Sequence, residues 1–188
     1  SGGIAGGSGQ GTASAEVYDP VSGTLASTGA LAVARGGHVA VALESGRVLV
    51  AGGFADTSAS AGLASAETYD AAAGTWTATG ALASGRGDAS ATLLGDGRVL
   101  AAGGGADVSY TALRATVERF DPTAGTWSTI APMAVARAGH AATRLPDGRV
   151  LVSGGYASAG SATASAEVWD PTTGTWTGTA SLSQARGE

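Results

Sequence analysis

Four arginines recur at nearly constant spacing and offer the clearest chemistry in the chain. They stand at intervals of 51, 51 and 49 residues, at Arg35, Arg86, Arg137 and Arg186. A guanidinium presents a planar fork of N–H donors that matches carboxylate and phosphate oxygens two at a time. This pattern predicts a site for an acidic or strongly hydrogen-bonding ligand. The alternative is structural, because an Arg in every copy of a repeat also suits bonds to backbone carbonyls or to an Asp of the neighbouring repeat.

Other ionisable residues recur in phase with these arginines. His38 and His140 each follow an Arg by three residues, but Ala89 stands at the matching place in the middle copy. Two histidines without a third ligand make a poor metal site, so we expect packed, hydrogen-bonded side chains. We expect turn capping by Asp19, Asp70, Asp121 and Asp170. We expect solvated strand positions for Glu16, Glu67, Glu118 and Glu167.

The sequence offers no catalytic constellation. It contains no Cys, which excludes thiolate metal sites and cysteine nucleophiles. No nucleophile–base pair, phosphate-binding loop or zinc motif is present, so we predict no catalytic residues, no metal and no cofactor. Arg86-Gly87-Asp88 spells the tripeptide of cell-adhesion ligands. The other two copies have Arg, a small residue and Gly at these places, so only the Asp is new, and we interpret the match as coincidence.

The arginines belong to a longer repeat. RVLVAGG at 47–53 returns as RVLAAGG at 98–104 and as RVLVSGG at 149–155. After each glycine pair come a variable loop and an acidic-aromatic cluster, and a second large apolar residue follows the aromatic one by seven positions. These pairs are Tyr18 and Leu25, Tyr69 and Trp76, Phe120 and Trp127, and Trp169 and Trp176.

Each repeat predicts two β-hairpins. HVAVAL at 38–43 and RVLVAG at 47–52 are short apolar runs, and the connection between the corresponding runs of the next copy is GDG at 95–97. Asp-Gly favours a tight primed turn. The acidic-aromatic strand is joined to the GTW strand by an Asp-Pro-x-x-Gly turn or a variant of it. Four strands in about 50 residues, with the inner pair more apolar, are typical of a propeller blade.

This unit resembles a kelch repeat, of the kind found in bacterial kelch proteins and in the central propeller of galactose-oxidase-like proteins. The resemblance covers essentially the whole chain and depends on the glycine pairs, the phased aromatics and the Trp of GTW. Leu25 replaces that Trp in the first copy, and Ala71 replaces the Pro in the second. The resemblance implies an all-β fold, a kelch-type β-propeller.

The repeat predicts these bounds: an outer half-blade at 1–33, blades at 34–84, 85–135 and 136–185, and the start of a further blade at 186–188. Three and a half blades are fewer than the roughly 4 to 8 that close a ring. We therefore expect part of a larger six- or seven-bladed ring, or one member of an assembly.

The strand order places the variable loops and the recurring arginines on one rim. These loops span 4–14, 54–64, 105–114 and 156–164, and the tight hairpin turns lie on the opposite rim. The resemblance implies that the arginines read an acidic ligand, as they do in kelch proteins that bind acidic peptides. Phe54, Tyr110 and Tyr156 are loop aromatics outside the repeat phase, so we predict that they contact a ligand, whereas the phased Tyr and Trp form the core.

Composition narrows the function. The net charge of −5 and pI near 4.9 argue against nucleic-acid binding, and no apolar run approaches the ~20 residues of a membrane span. Every one of the 10 basic residues is Arg, which favours a GC-rich genome, and the resemblance to bacterial-type kelch repeats implies a bacterial source.

We predict a non-enzymatic binding scaffold for a protein, peptide or glycan, outside the cell or at its surface. One alternative is a structural component of an extracellular assembly that self-associates. The other is the propeller body of a copper enzyme resembling galactose oxidase, whose Tyr–Cys site would lie outside this segment.

Overall fold

The computed structural model describes residues 2–4, 9–58 and 61–187. The first sheet pairs β1 (Glu16–Asp19) with β2 (Thr24–Ser27). The second contains β3 (Val39–Ala42), β4 (Val48–Ala51), β5 (Ala66–Asp70) and β6 (Thr75–Thr79). The third contains β7 (Ser90–Leu93), β8 (Val99–Ala102), β9 (Val117–Asp121) and β10 (Thr126–Ile130). The last part of the chain forms β11 (Ala141–Arg144), β12 (Val150–Ser153), β13 (Tyr156–Ser158), β14 (Ser161–Ala162), β15 (Ala166–Asp170) and β16 (Thr175–Thr179).

Three antiparallel sheets of four strands repeat the same order. β3 to β6 and β7 to β10 follow the chain from one edge to the other, and β11, β12, β15 and β16 do the same. The first strands of successive sheets, β3, β7 and β11, contact one another. They therefore line one side of a common channel, and the fourth strands lie outermost. The described residues contain no helix, so the predicted all-β, kelch-type blade architecture is confirmed.

The hairpins form where the sequence predicts them, but the prediction of a primed inner turn was wrong. Of residues 95–97 only Gly97 has a positive φ, 78°; its amide donates to the Leu94 carbonyl at 3.2 Å, and the Leu94 amide donates to the Arg98 carbonyl at 2.8 Å. The inner turn is therefore an ordinary β-turn followed by a left-handed glycine bulge. In the outer turn, Asp121 Oδ1 accepts the amides of Thr123 and Ala124 at 2.9 and 3.2 Å. Equivalent bonds are made by Asp19, Asp70 and Asp170. The prediction that these carboxylates cap turns is confirmed.

The seven-residue spacing places the paired aromatics directly opposite each other. Tyr69 faces Trp76 with ring centroids 4.9 Å apart, and Phe120 faces Trp127 at 5.0 Å. In the four-stranded sheets the third-strand aromatics Tyr69, Phe120 and Trp169 are buried, and Phe120 packs with Leu49 of the preceding sheet. The tryptophans of the outermost strands are only half-buried, and Tyr18 of β1 is 59% exposed. The prediction that the phased aromatics form the core is therefore confirmed for the inner set, holds in part for the outer tryptophans and was wrong for Tyr18.

The loops that follow each second strand meet the segments that precede each first strand. Backbone bridges join Gly36 to Phe54, Gly87 to Gly105 and Ala138 to Tyr156. Loops and recurring arginines thus share one rim, as the strand order predicts. The segment 156–164 differs from the expected irregular loop, because β13 and β14 form a short hairpin whose register shifts between Tyr156 and Ser158. Parts of loops 4–14 and 54–64 lie outside the described residues.

Candidate functional site at the channel mouth

Three of the recurring arginines are buried, with 0, 2 and 0% of their surface exposed for Arg35, Arg86 and Arg137. Arg35 shows the shared geometry. Its Nη1 donates to the carbonyls of Gly52 and Ser65 at 2.7 and 3.0 Å. Its Nη2 donates to Ser65 Oγ at 2.9 Å and to the Glu67 carboxylate at 3.0 Å. We call this set of acceptors the arginine socket.

The recurring glutamates complete the sockets, and the prediction that they are solvated was wrong for three of the four. Glu67, Glu118 and Glu167 are 2, 1 and 3% exposed, and Glu16 alone of the set is exposed. Each buried carboxylate also accepts backbone amides from the segment before its Arg, as Glu167 does from Ala134 and Val135 at 2.7 and 3.1 Å. Burial is tolerated because each charge is paired and hydrogen-bonded.

The sockets leave the three buried guanidiniums inaccessible to a ligand in this arrangement. This geometry favours the structural alternative, with a Glu of the same repeat in place of the expected neighbouring Asp. Arg186 has an exposed side chain, and its backbone bonds Gly155 and Thr163. Ligand binding by the four arginines stays a prediction.

Asp88, and not an arginine, carries the charge at the channel mouth. Gly37, Asp88 and Gly139 occupy equivalent positions with φ values of 60, 49 and 56°. The Asp88 amide donates to the Gly37 carbonyl at 2.8 Å, and the Gly139 amide donates to the Asp88 carbonyl at 2.9 Å. These bonds connect successive sheets across the rim. Asp is among the few side chains besides glycine that tolerate this left-handed backbone.

Asp88 is joined to a second left-handed residue, Tyr110, whose φ is 56°. The Tyr110 hydroxyl donates to Asp88 Oδ2 at 2.8 Å. Within the described ranges, no other residue besides glycine has a positive φ. The Asp107 carboxylate accepts bonds from Ser109, Thr111 and Ala112 and so holds the loop that presents Tyr110. Strained backbone persists where the surroundings impose it, and it concentrates at functional sites.

Two cavities meet at Tyr110. The first, of about 240 Å³, lies at the mouth and is lined by Gly37, His38, Asp88, Ala89, Tyr110, Gly139 and His140. The second, of about 500 Å³, extends from Tyr110 between Leu113 and Ala157. The ring of Tyr156 lies beside the Tyr110 ring, with centroids 5.7 Å apart.

The electrostatics of the mouth are set by burial. Burial raises the pKa of Asp88, and the Tyr110 hydrogen bond offsets only part of this shift. Burial and the bond to Asp88 also raise the pKa of the Tyr110 hydroxyl. Burial and the charge of Arg137 lower the pKa of His140 to about 3, and its Nε2 lies 2.8 Å from Ser90 Oγ. His140 is therefore the packed, hydrogen-bonded neutral residue that the sequence predicts.

The three loop aromatics differ in exposure. Tyr110 and Tyr156 are partly exposed. Phe54 is only 4% exposed, contrary to what a ligand contact requires, because its ring covers Gly87. A Cβ at Gly87 would lie 2.1 Å from that ring. Sequence reasoning missed Asp88, although its signal was an acidic residue where both sister repeats carry glycine.

The fold and the repeats define the class of protein. The family model of the kelch motif matches residues 89–134 and 136–183, which together make half of the chain. The chain belongs to the kelch-repeat family.

A solved structure described as "Structure of YjhT" has the same fold, with a TM-score of 0.83. It is 19% identical, and the match covers 99% of this chain and 68% of that one. A search of curated proteins found no match.

Within residues 2–4, 9–58 and 61–187, no group of three or more His, Asp or Glu side chains could hold a metal ion. No helix in those ranges is long and apolar enough to cross a membrane.

Proposed function

We propose that this protein is a non-enzymatic binding scaffold that holds a protein, peptide or glycan partner at its loop rim and channel mouth. Kelch propellers serve binding roles in general, and fold alone does not name a ligand. The proposal therefore depends on the site. Its surface consists of the described loop segments 54–58, 105–114 and 156–164 together with the mouth cavity.

The hydrogen bond between Asp88 and Tyr110 is the observation that carries this proposal. Both residues hold left-handed backbone at an energetic cost, and both side chains line the mouth cavity. The sister repeats form the same turn with glycine at 37 and 139, so the fold itself does not require an Asp there. A costly arrangement that the scaffold does not need favours a role in binding.

Amide chemical shifts measured by NMR test the proposal with four probes. Three are blocked pentapeptides, Gly-Gly-X-Gly-Gly with Arg, Gln or Asp at X, and the fourth is a neutral oligosaccharide. We expect saturable shifts on the loop rim for at least one probe. The internal control is turn 145–148 on the opposite rim, away from the cavity of about 520 Å³ that Glu44, Arg47 and Asp96 line on that rim; it should not respond. If every probe leaves the loop rim unchanged, or moves both rims equally, the binding scaffold is wrong.

Self-association is the competing function, because an assembly component would use its surfaces on copies of itself. Sedimentation velocity across a wide concentration range separates the two: growing polymers would favour the structural role. We also propose a location outside the cell or at its surface, since the low charge and the small, hydroxyl-rich loops suit an extracellular protein. Recovery of the native protein in the cytoplasmic fraction of its source cells would contradict that location.

A further inference from the structure

The charge that the mouth presents is negative. The buried arginines are neutralised in their sockets by Glu67, Glu118 and Glu167. His140 is neutral because burial disfavours its charged form. Arg114 and the exposed Arg186 are further cations near the rim, but neither lines the mouth cavity or the second cavity, and Arg114 Nε donates to the Gly85 carbonyl.

Asp88 differs from the other carboxylates of the loop rim. Asp107 is occupied by donors of its own loop, and Asp56 accepts the amide and hydroxyl of Ser58. Both carboxylates therefore already accept hydrogen bonds from donors of their own turns. Asp88 has one hydrogen bond, at Oδ2, and no ion pair with any described residue.

The second oxygen of Asp88 is open to a ligand. Oδ1 accepts no bond from the described residues and lies against Gly37, where a Cβ would come within 2.5 Å of it. Burial raises the pKa of this carboxyl, because the charged form has lost water without gaining a counter-charge. A cation placed beside Oδ1 would supply that missing counter-charge.

The tyrosines add a second recognition element. Tyr110 lines both cavities, and its ring lies 5.7 Å from that of Tyr156. Aromatic faces attract ammonium and guanidinium groups, and more strongly when the cation is desolvated. The apolar stem of a long basic side chain would lie along the Tyr110 ring, which lines both the mouth cavity and the second cavity.

We propose that the channel mouth binds the ammonium or guanidinium head of a basic side chain in a partner peptide. Asp88 Oδ1 accepts from the head, and the stem lies along the Tyr110 ring, which Tyr156 supports from its other side. A cavity of about 240 Å³ is smaller than the roughly 300 Å³ at which pockets for drug-sized ligands begin, so one side chain enters and the peptide backbone stays on the rim. This inference rests on the proposed binding function, and it replaces the acidic ligand expected from the sequence with a basic one.

Calorimetric titration of the full chain with the Arg pentapeptide tests this inference, at pH 8 to keep ordinary histidines neutral. We expect saturable binding of the Arg peptide that weakens with added salt. The Gln pentapeptide should bind at least about ten-fold more weakly than the Arg pentapeptide. Asp88→Asn should weaken binding of the Arg peptide about ten-fold or more. Asn tolerates the left-handed backbone, and its side-chain oxygen can still accept the hydrogen bond from the Tyr110 hydroxyl.

Asp56→Asn is the matched control, because it makes the same charge change on a neighbouring loop and should alter affinity less than about two-fold. Asp88→Gly provides a second variant with the residue that both sister repeats carry, which secures its folding. Equal weakening by Asp88→Asn and Asp56→Asn would indicate a diffuse negative surface and overturn the site. An Arg peptide that binds no tighter than the Gln peptide would also overturn it.

The same probes distinguish this inference from the binding function beneath it. If the Asp peptide or the oligosaccharide saturates the loop rim and the Arg peptide does not, the cation site is wrong and the scaffold stands. If no probe binds, both are wrong.

Discussion

Replacing Arg86 by alanine removes the guanidinium that neutralises Glu118 inside the third sheet. Arg86 Nη1 donates to the carbonyls of Gly103 and Thr116 at 2.9 and 2.8 Å, and Nη2 bonds Glu118. After the substitution, the 1% exposed Glu118 carboxylate retains the Ala83 amide at 2.7 Å, but none of the described residues forms another ion pair with it. Both carbonyls also lose a donor.

The expected loss of stability is large. Removing one partner of a buried ion pair costs about 3 to 5 kcal/mol, because the other charge stays buried and uncompensated. For a chain of 188 residues, each kcal/mol shifts the melting temperature by roughly 2 to 4 °C. Arg86→Ala should therefore lower the melting temperature by about 6 to 20 °C.

Urea denaturation followed by tryptophan fluorescence measures this loss, and Arg98→Ala is the matched control. Arg98 belongs to the same sheet, its side chain is 39% exposed, and it pairs with Asp121 at 3.3 Å. An exposed pair of this kind contributes about 1 kcal/mol or less. If Arg86→Ala destabilises no more than Arg98→Ala and instead weakens binding of the Asp pentapeptide, the socket is not structural and the arginine mouth expected from the sequence is right.

Three further outcomes are expected from single substitutions. The pKa of His140 is about 3 in the folded chain and near 6.5 in the unfolded chain, so the unfolded chain binds more protons between these pH values. The unfolding free energy of wild type should therefore fall by about 2 kcal/mol from pH 7 to pH 5, and His140→Gln should not show this loss. Unfolding free energies of both proteins measured against pH test this. Asp88→Gly relieves left-handed strain and removes a carboxyl whose pKa is raised in the folded state, so its stability should exceed that of wild type by up to about 1 kcal/mol at pH 7. That gain should shrink as the pH falls to the unfolded pKa near 3.8, and a gain that grows in acid would contradict the sign of the shift. Phe120→Ala should cost about 3 to 5 kcal/mol and the half-buried Trp127→Ala clearly less, which thermal unfolding of the two variants compares.

Local patterns predicted the strands, the turns and the opposed aromatic pairs. An antiparallel hairpin with a fixed turn sets its own register, and so the seven-residue spacing of Phe120 and Trp127 was enough to place them face to face. The phase of Glu67 and Tyr69 likewise predicted that they share a face of β5. The wrong step was to assign that Glu to solvent. One Arg and one Glu per repeat, 32, 32 and 30 residues apart, was the available signal of a buried pair.

The candidate site was less predictable, because its character depends on which charges burial removes. The sequence places four recurring arginines near the rim and a single Asp88 where the sister repeats have glycine. A count of these charges, without knowledge of which are buried, favours an acidic ligand.

The sequence by itself determined the repeat, the four-stranded unit and the rim on which the loops lie, since each follows from periodicity within about 50 residues. The tertiary structure alone decided that Arg35, Arg86 and Arg137 are neutralised in the interior while Asp88 faces the mouth. Electrostatic character depends on desolvation and on partners some 30 residues away, and only the packed sheets bring these together.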